Sequence, residues 1–106
     1  MKSQILVTAL LSVLNDVFEY YAPAGSCADP YIVWQPEGEG SEVAGDNQKQ
    51  QYSMRFSVDV FSKRPIPETL KKLESAFNAA RISFSLNTVE YDTEKQIIKY
   101  TYEVEI

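Results

Sequence analysis

The densest apolar stretch of the chain lies near its start, and polar side chains interrupt it at regular intervals. Gln4, Thr8, Ser12, Asn15, Asp16 and Glu19 recur three or four positions apart. That spacing lays one polar stripe along a helix and predicts a helix over residues 3–20. Ile5, Leu6, Val7, Ala9, Leu10, Leu11, Val13, Leu14, Val17 and Phe18 fill the rest of its circumference. A helix resting on a single sheet needs a narrower apolar face than this. The excess predicts either a helix tucked deep in its own fold or one that also packs on a neighbouring subunit. The same stripe argues against a secretion signal, whose apolar region is uninterrupted. No apolar run reaches the ~18–20 residues of a membrane span.

Pro23 and Gly25 break the pattern. Tyr31-Ile32-Val33-Trp34, set between Pro30 and Pro36, reads as a short strand at an edge or a terminus. An acidic loop over 37–50 follows. Residues 51–62 then alternate, with Tyr52, Met54, Phe56, Val58 and Val60 on one side and Gln51, Ser53, Arg55, Ser57 and Asp59 on the other. This is a half-buried strand of period two. Pro65 ends it. Pro67 and Glu68 suit the first turn of a helix. Leu70, Leu73, Ala76, Phe77 and Ala80 carry that helix over 67–80, and Ile66 packs on Leu70 at its start. Ile82, Phe84 and Leu86 open a strand whose phase slips near Asn87-Thr88, where Val89 and Tyr91 take over. Such a slip predicts a β-bulge. After a polar turn at Asp92-Thr93-Glu94-Lys95, the strand 96–106 places Ile98, Tyr100, Tyr102, Val104 and Ile106 on one face.

The predicted order is therefore α-β-β-α-β-β. The expected fold is α+β: a mostly antiparallel four-stranded sheet with two helices packed on one face. No repeat or linker divides residues 1–106, which are expected to form a single domain.

Composition narrows the function. The chain of 106 residues has 44% hydrophobic and 24% charged residues, ordinary globular usage. Ten Lys+Arg against fifteen Asp+Glu give a net charge of −5, a poor basis for gripping phosphates. There is no histidine, so the commonest general base and metal ligand is missing. Cys27, the one cysteine, forms neither an internal disulfide nor a thiolate zinc site. Phosphate-cradling glycine motifs are absent, and the acids of the 37–50 loop do not follow a calcium-loop spacing. Glu103 and Glu105 alternate with apolar partners, which places them on a wet outer face rather than in a catalytic pair. Lys63-Arg64 and Lys71-Lys72, the only basic cluster, read as solvated charge. The expectation is a protein that is not an enzyme, with no cofactor and no metal. Tyrosine and tryptophan are preferred anchors of protein interfaces. Trp34, with Glu37, Glu39, Glu42 and Asp46 of the acidic loop beside it, is the candidate protein-interaction surface.

The order of segments adds a resemblance. Tyr20-Tyr21-Ala22-Pro23, Asp29-Pro30-Tyr31-Ile32-Val33-Trp34, Ala44-Gly45-Asp46-Asn47, Val58-Asp59-Val60-Phe61-Ser62-Lys63, Leu86-Asn87-Thr88-Val89-Glu90-Tyr91 and a tyrosine-rich last strand follow one another. This succession resembles the small tail-completion and tail terminator (neck) proteins of long-tailed bacteriophages and prophages of Gram-positive bacteria. The resemblance spans nearly the whole chain, and order and spacing carry it rather than any one motif. It implies a structural virion protein that caps the tail tube and joins it to the head. It implies a homo-oligomeric ring, a hexamer, in contact with the tail tube protein and a head-completion protein. DNA would pass through the lumen without specific binding, and no membrane is involved. The expected location is the virion tail or neck, and the host cytoplasm during assembly. The alternative is a small acidic interaction module, an inhibitor or adaptor, that forms no ring.

Overall fold

The computed structural model describes residues 2–22, 29–39 and 53–106. In chain order its elements are α1 (Lys2–Leu11), β1 (Val17–Glu19), β2 (Tyr31–Glu39), β3 (Met54–Ser62), α2 (Pro67–Ala79), β4 (Ser83–Asp92) and β5 (Ile97–Glu105). The strands form one five-stranded sheet in the order β1-β2-β3-β5-β4. β1 runs parallel to β2, and every other pair is antiparallel.

This corrects the expected four-stranded sheet and the α-β-β-α-β-β order. The chain runs α-β-β-β-α-β-β, and the sheet is mixed. The extra strand comes from the second half of the expected first helix. α1 stops at Leu11, where the Ser12 hydroxyl donates to the carbonyl of Ala9 at 2.6 Å and the chain tightens through Val13 N–H to Leu10 O at 3.0 Å. Serine bonded back to the helix in this way competes with its continuation. Asn15 and Asp16 then favour a turn. Val17 and Phe18, β-branched and aromatic, enter the sheet beside Ile32 and Val33. The Asp16 carbonyl accepts the Ile32 N–H at 2.9 Å, and the Tyr20 N–H reaches the Trp34 carbonyl at 2.9 Å, fixing both ends of β1. The unexpectedly wide apolar surface of the first helix has the same explanation. Val13, Leu14 and Val17 pack against the core from a turn and a strand, not from a helix.

β2 also runs further than Trp34. Pro36 lies inside it, opposite Phe56, with a register shift before Gly38. β1 covers only Ile32–Trp34, so the missing N–H of Pro36 falls where, among the described residues, β2 has a neighbour on one side only. The phase slip in β4 is a register shift between Leu86 and Thr88, at the expected bulge.

The core lies between the sheet and the two helices. Leu6, Ala9 and Leu10 of α1 and Leu73 and Phe77 of α2 meet Ile32, Trp34, Phe56, Val58, Val60, Tyr100, Tyr102 and Val104 of the strands. Phe77 is its aromatic hub, with ring centroids 5.4 Å from Phe84 and 6.0 Å from Tyr102. The Tyr102 hydroxyl donates to the Glu74 carboxylate at 2.8 Å, tying β5 to α2. Burial first, and then the Glu74 carboxylate, hold that hydroxyl protonated well above the ordinary tyrosine range. A raised pKa in the folded state stabilises the fold fully below the ordinary tyrosine value of about 10 and is lost as pH rises past it. Tyr102→Phe should therefore flatten the alkaline loss of stability. Between about pH 8 and pH 11 the unaltered chain should lose up to about tenfold more in its folding constant than the variant. Urea midpoints at the two pH values measure this, and equal losses would contradict it.

Candidate interaction surface

The sheet has two unlike faces. On the outer one, polar groups pair across strands: Thr101 Oγ1 donates to Asp59 Oδ1 at 2.9 Å, Lys99 lies 3.5 Å from Glu90, and Arg55 lies 4.0 Å from Glu103. Exposed pairs of this kind contribute about 0–1 kcal/mol each. They set the character of the face more than its stability. Glu103 therefore sits in an ion pair on this face, and Glu105 accepts a hydrogen bond from Ser53 at 2.6 Å.

The residues singled out from the sequence are scattered. Trp34 is 6% exposed and packs edge-to-face on Phe56 at 6.0 Å, inside the core. Glu37 is exposed on β2, and Glu39 is the last residue of that strand. Glu42, Asp46 and Cys27 lie outside the described residues. Lys63, Arg64, Lys71 and Lys72 are all exposed. Among the described residues no three acidic or cysteine side chains come together as a metal site, and no helix is long and apolar enough to cross a membrane.

The exposed features that do stand out are apolar. Ile5 and Leu11 protrude from α1, Tyr20 and Tyr21 follow β1, and Leu86, Val89 and Tyr91 stand on β4. A shallow hollow of about 540 Å³ lies between the helices, floored by Ala9, Ala76 and Ala80 with Ile5 and Thr8 at its side. A second, of about 410 Å³, lies on the outer face where Tyr31 stacks on Phe61 at 4.8 Å near the Glu90–Lys99 pair. Neither brings together charged groups with the burial that acid–base chemistry needs. Sequence reasoning marked the β4 phase slip but missed that the residues it turns inward stay largely exposed. It holds Val89 and Tyr91 on the core side of the sheet, where they remain 56% and 57% exposed.

Fold and surface together define an α+β protein whose described surface carries, beside its charged groups, exposed apolar side chains on α1, after β1 and on β4. No family model matches the chain, and no curated protein matches it. Nineteen solved chains do. One of them, described as "Virion of native gene transfer agent (GTA) particle", is similar at 17% identity with a TM-score of 0.45, over 97% of this chain and 89% of that one.

Proposed function

We propose that this chain is a structural protein of a phage or prophage virion, working at the head end of the tail. It caps the tail tube, joins it to the head, and turns over no substrate. The observation that carries this reading is the ordered succession of segments from Tyr20 to the tyrosine-rich strand, which resembles tail-completion and tail terminator proteins over nearly the whole chain. The surface supports it too. A ring built head to tail needs unlike patches that meet and close. The exposed apolar side chains fall in separate places, on α1, after β1 and on β4. A net charge of −5 suits a conduit through which DNA must slide without sticking. In this reading Glu37, Glu39, Glu42 and Asp46 face the lumen or the tube, and the assembly is a ring, with six copies as the working number.

Deletion of the gene from a particle-producing lysogen tests the proposal. Electron micrographs of the lysate should show tails of irregular length separated from filled heads. Normal tails joined to heads would overturn it. Reversing Glu37, Glu39 and Glu42 to lysine should lower the yield of infective particles about tenfold or more if these acids line the path of DNA. Unchanged yield would remove them from that path.

A further inference from the structure

β4 is an edge strand with a row of apolar side chains that the described residues leave about half exposed. Among the described residues it pairs with β5 on one side only, with Asn87 passed over at the bulge, and all of its ten residues but Phe84 are exposed. The pairing shows which of them share the core face. Phe84 lies opposite Val104, Leu86 opposite Tyr102, Val89 opposite Tyr100 and Tyr91 opposite Ile98. Directly opposed residues of an antiparallel pair point to the same side. The core face of the sheet therefore continues onto β4. α2 covers only its start, where Phe84 meets Phe77. Beyond that point Leu86, Val89 and Tyr91 are 43%, 56% and 57% exposed.

The bulge creates this row. Strict alternation from Leu86 would have brought Thr88, Glu90 and Asp92 onto the core side and turned Val89 and Tyr91 away. The slip at Asn87 reverses that assignment for the rest of the strand. Edge strands that avoid partners set a charge or a proline in the apolar row. β4 has neither. Glu90 and Asp92 stand on the outer face, opposite Lys99 and Ile97.

We propose that β4 pairs antiparallel with β4 of a second copy of this chain, about a two-fold axis between Asn87 and Thr88. Among the edges this chain offers, charge selects both the occupant and the direction. The segment runs from the exposed Arg81 through neutral Ser83 and Ser85 to acidic Glu90, Asp92 and Glu94. In an antiparallel pair Ser85 faces Glu90 of the second copy, Ser83 faces Asp92 and Arg81 faces Glu94. A parallel pair would set Glu90 against Glu90 and Asp92 against Asp92, and like charges directly opposed destabilise a sheet. The other edge of the sheet is no better a partner, because Glu19 on β1 and Glu37 on the uncovered part of β2 repeat the same charge. On the core side the antiparallel register sets Leu86 against Val89 of the second copy and Phe84 against Tyr91. The bulge falls on the axis, so the apolar rows match on both sides of it. The contact is isologous and cannot propagate a ring. It is independent of the tail-end reading and joins two copies, or two rings, through like faces.

Light scattering on the full chain over a wide concentration range, with and without Val89→Lys, tests the seam together with directed cysteine pairing. The chain should double in mass, and Val89→Lys should raise the midpoint concentration about tenfold or more. In a Cys27→Ser background, Ser83→Cys and Asp92→Cys chains should link to each other when mixed and oxidised, and each alone should stay unlinked. The disulfide arm leaves the apolar row intact, so it decides the question even where Val89→Lys perturbs folding. A monomer at every concentration overturns the seam, as does self-linking of Ser83→Cys alone. A larger ring that Val89→Lys leaves unchanged supports the tail-end reading and overturns the seam.

Discussion

Phe77→Ala should destabilise the protein by about 3–5 kcal/mol, measured as the shift of the urea unfolding midpoint multiplied by the slope. Phe77 has no exposed surface and is the one aromatic side chain that α2 sends into the core. Its ring meets Phe84 of β4 and Tyr102 of β5, and those two meet each other at 6.2 Å. Truncation removes one corner of a three-ring cluster and leaves a void that flat, strand-borne rings cannot close by sliding. A domain of this size is stable by only about 5–15 kcal/mol, so the loss is a large fraction of the whole. Phe77→Leu keeps most of the volume and should cost clearly less. Equal, small effects from both substitutions would mean that α2 is not seated on β4 and β5 as described.

Trp34→Ala is the second large effect, again about 3–5 kcal/mol. Trp34 sits between Glu19 of β1 and Val58 of β3 in the sheet register, and its ring packs on Phe56. It is the single tryptophan, so its own fluorescence follows the unfolding of the unaltered chain and of the Phe77 variants. Circular dichroism follows the Trp34 variants. Trp34→Phe should recover much of the loss. A side chain that serves only to hold a partner would show the opposite result, with stability unchanged and association lost.

Much of this architecture could be read from alternation and punctuation. β3 keeps apolar residues at 54, 56, 58 and 60 and β5 at 98, 100, 102 and 104, and both are buried on that side alone, so period two was plain in both. α2 was bounded by Pro67 at its start and by helical spacing of Leu70, Leu73 and Phe77. The bulge announced itself because Leu86 and Val89 cannot share a face of a regular strand. β1 could not be read this way. Three residues are too few to show a period, and Val13, Leu14 and Val17 fall by chance at helical spacing from Leu6 and Leu10. Only the Ser12, Asn15 and Asp16 turn chemistry pointed to a break. Trp34 shows a different failure. Ile32 and Trp34 alternate on one side of β2, which places both in the core. The proximity of an acidic loop drew the reading outward instead. The uncovered row on β4 was hidden for a further reason. A sequence records which residues share a face but not how far a helix extends over it.

The insertion of β5 between β3 and β4 has a consequence for synthesis on the ribosome. Each of its neighbours is made earlier, and until β5 emerges both β3 and β4 present open edges with apolar side chains. The nascent chain therefore passes through a stage at which α2 and β4 exist without their seat, and a stalled or truncated product is the form most exposed to chaperones and to aggregation.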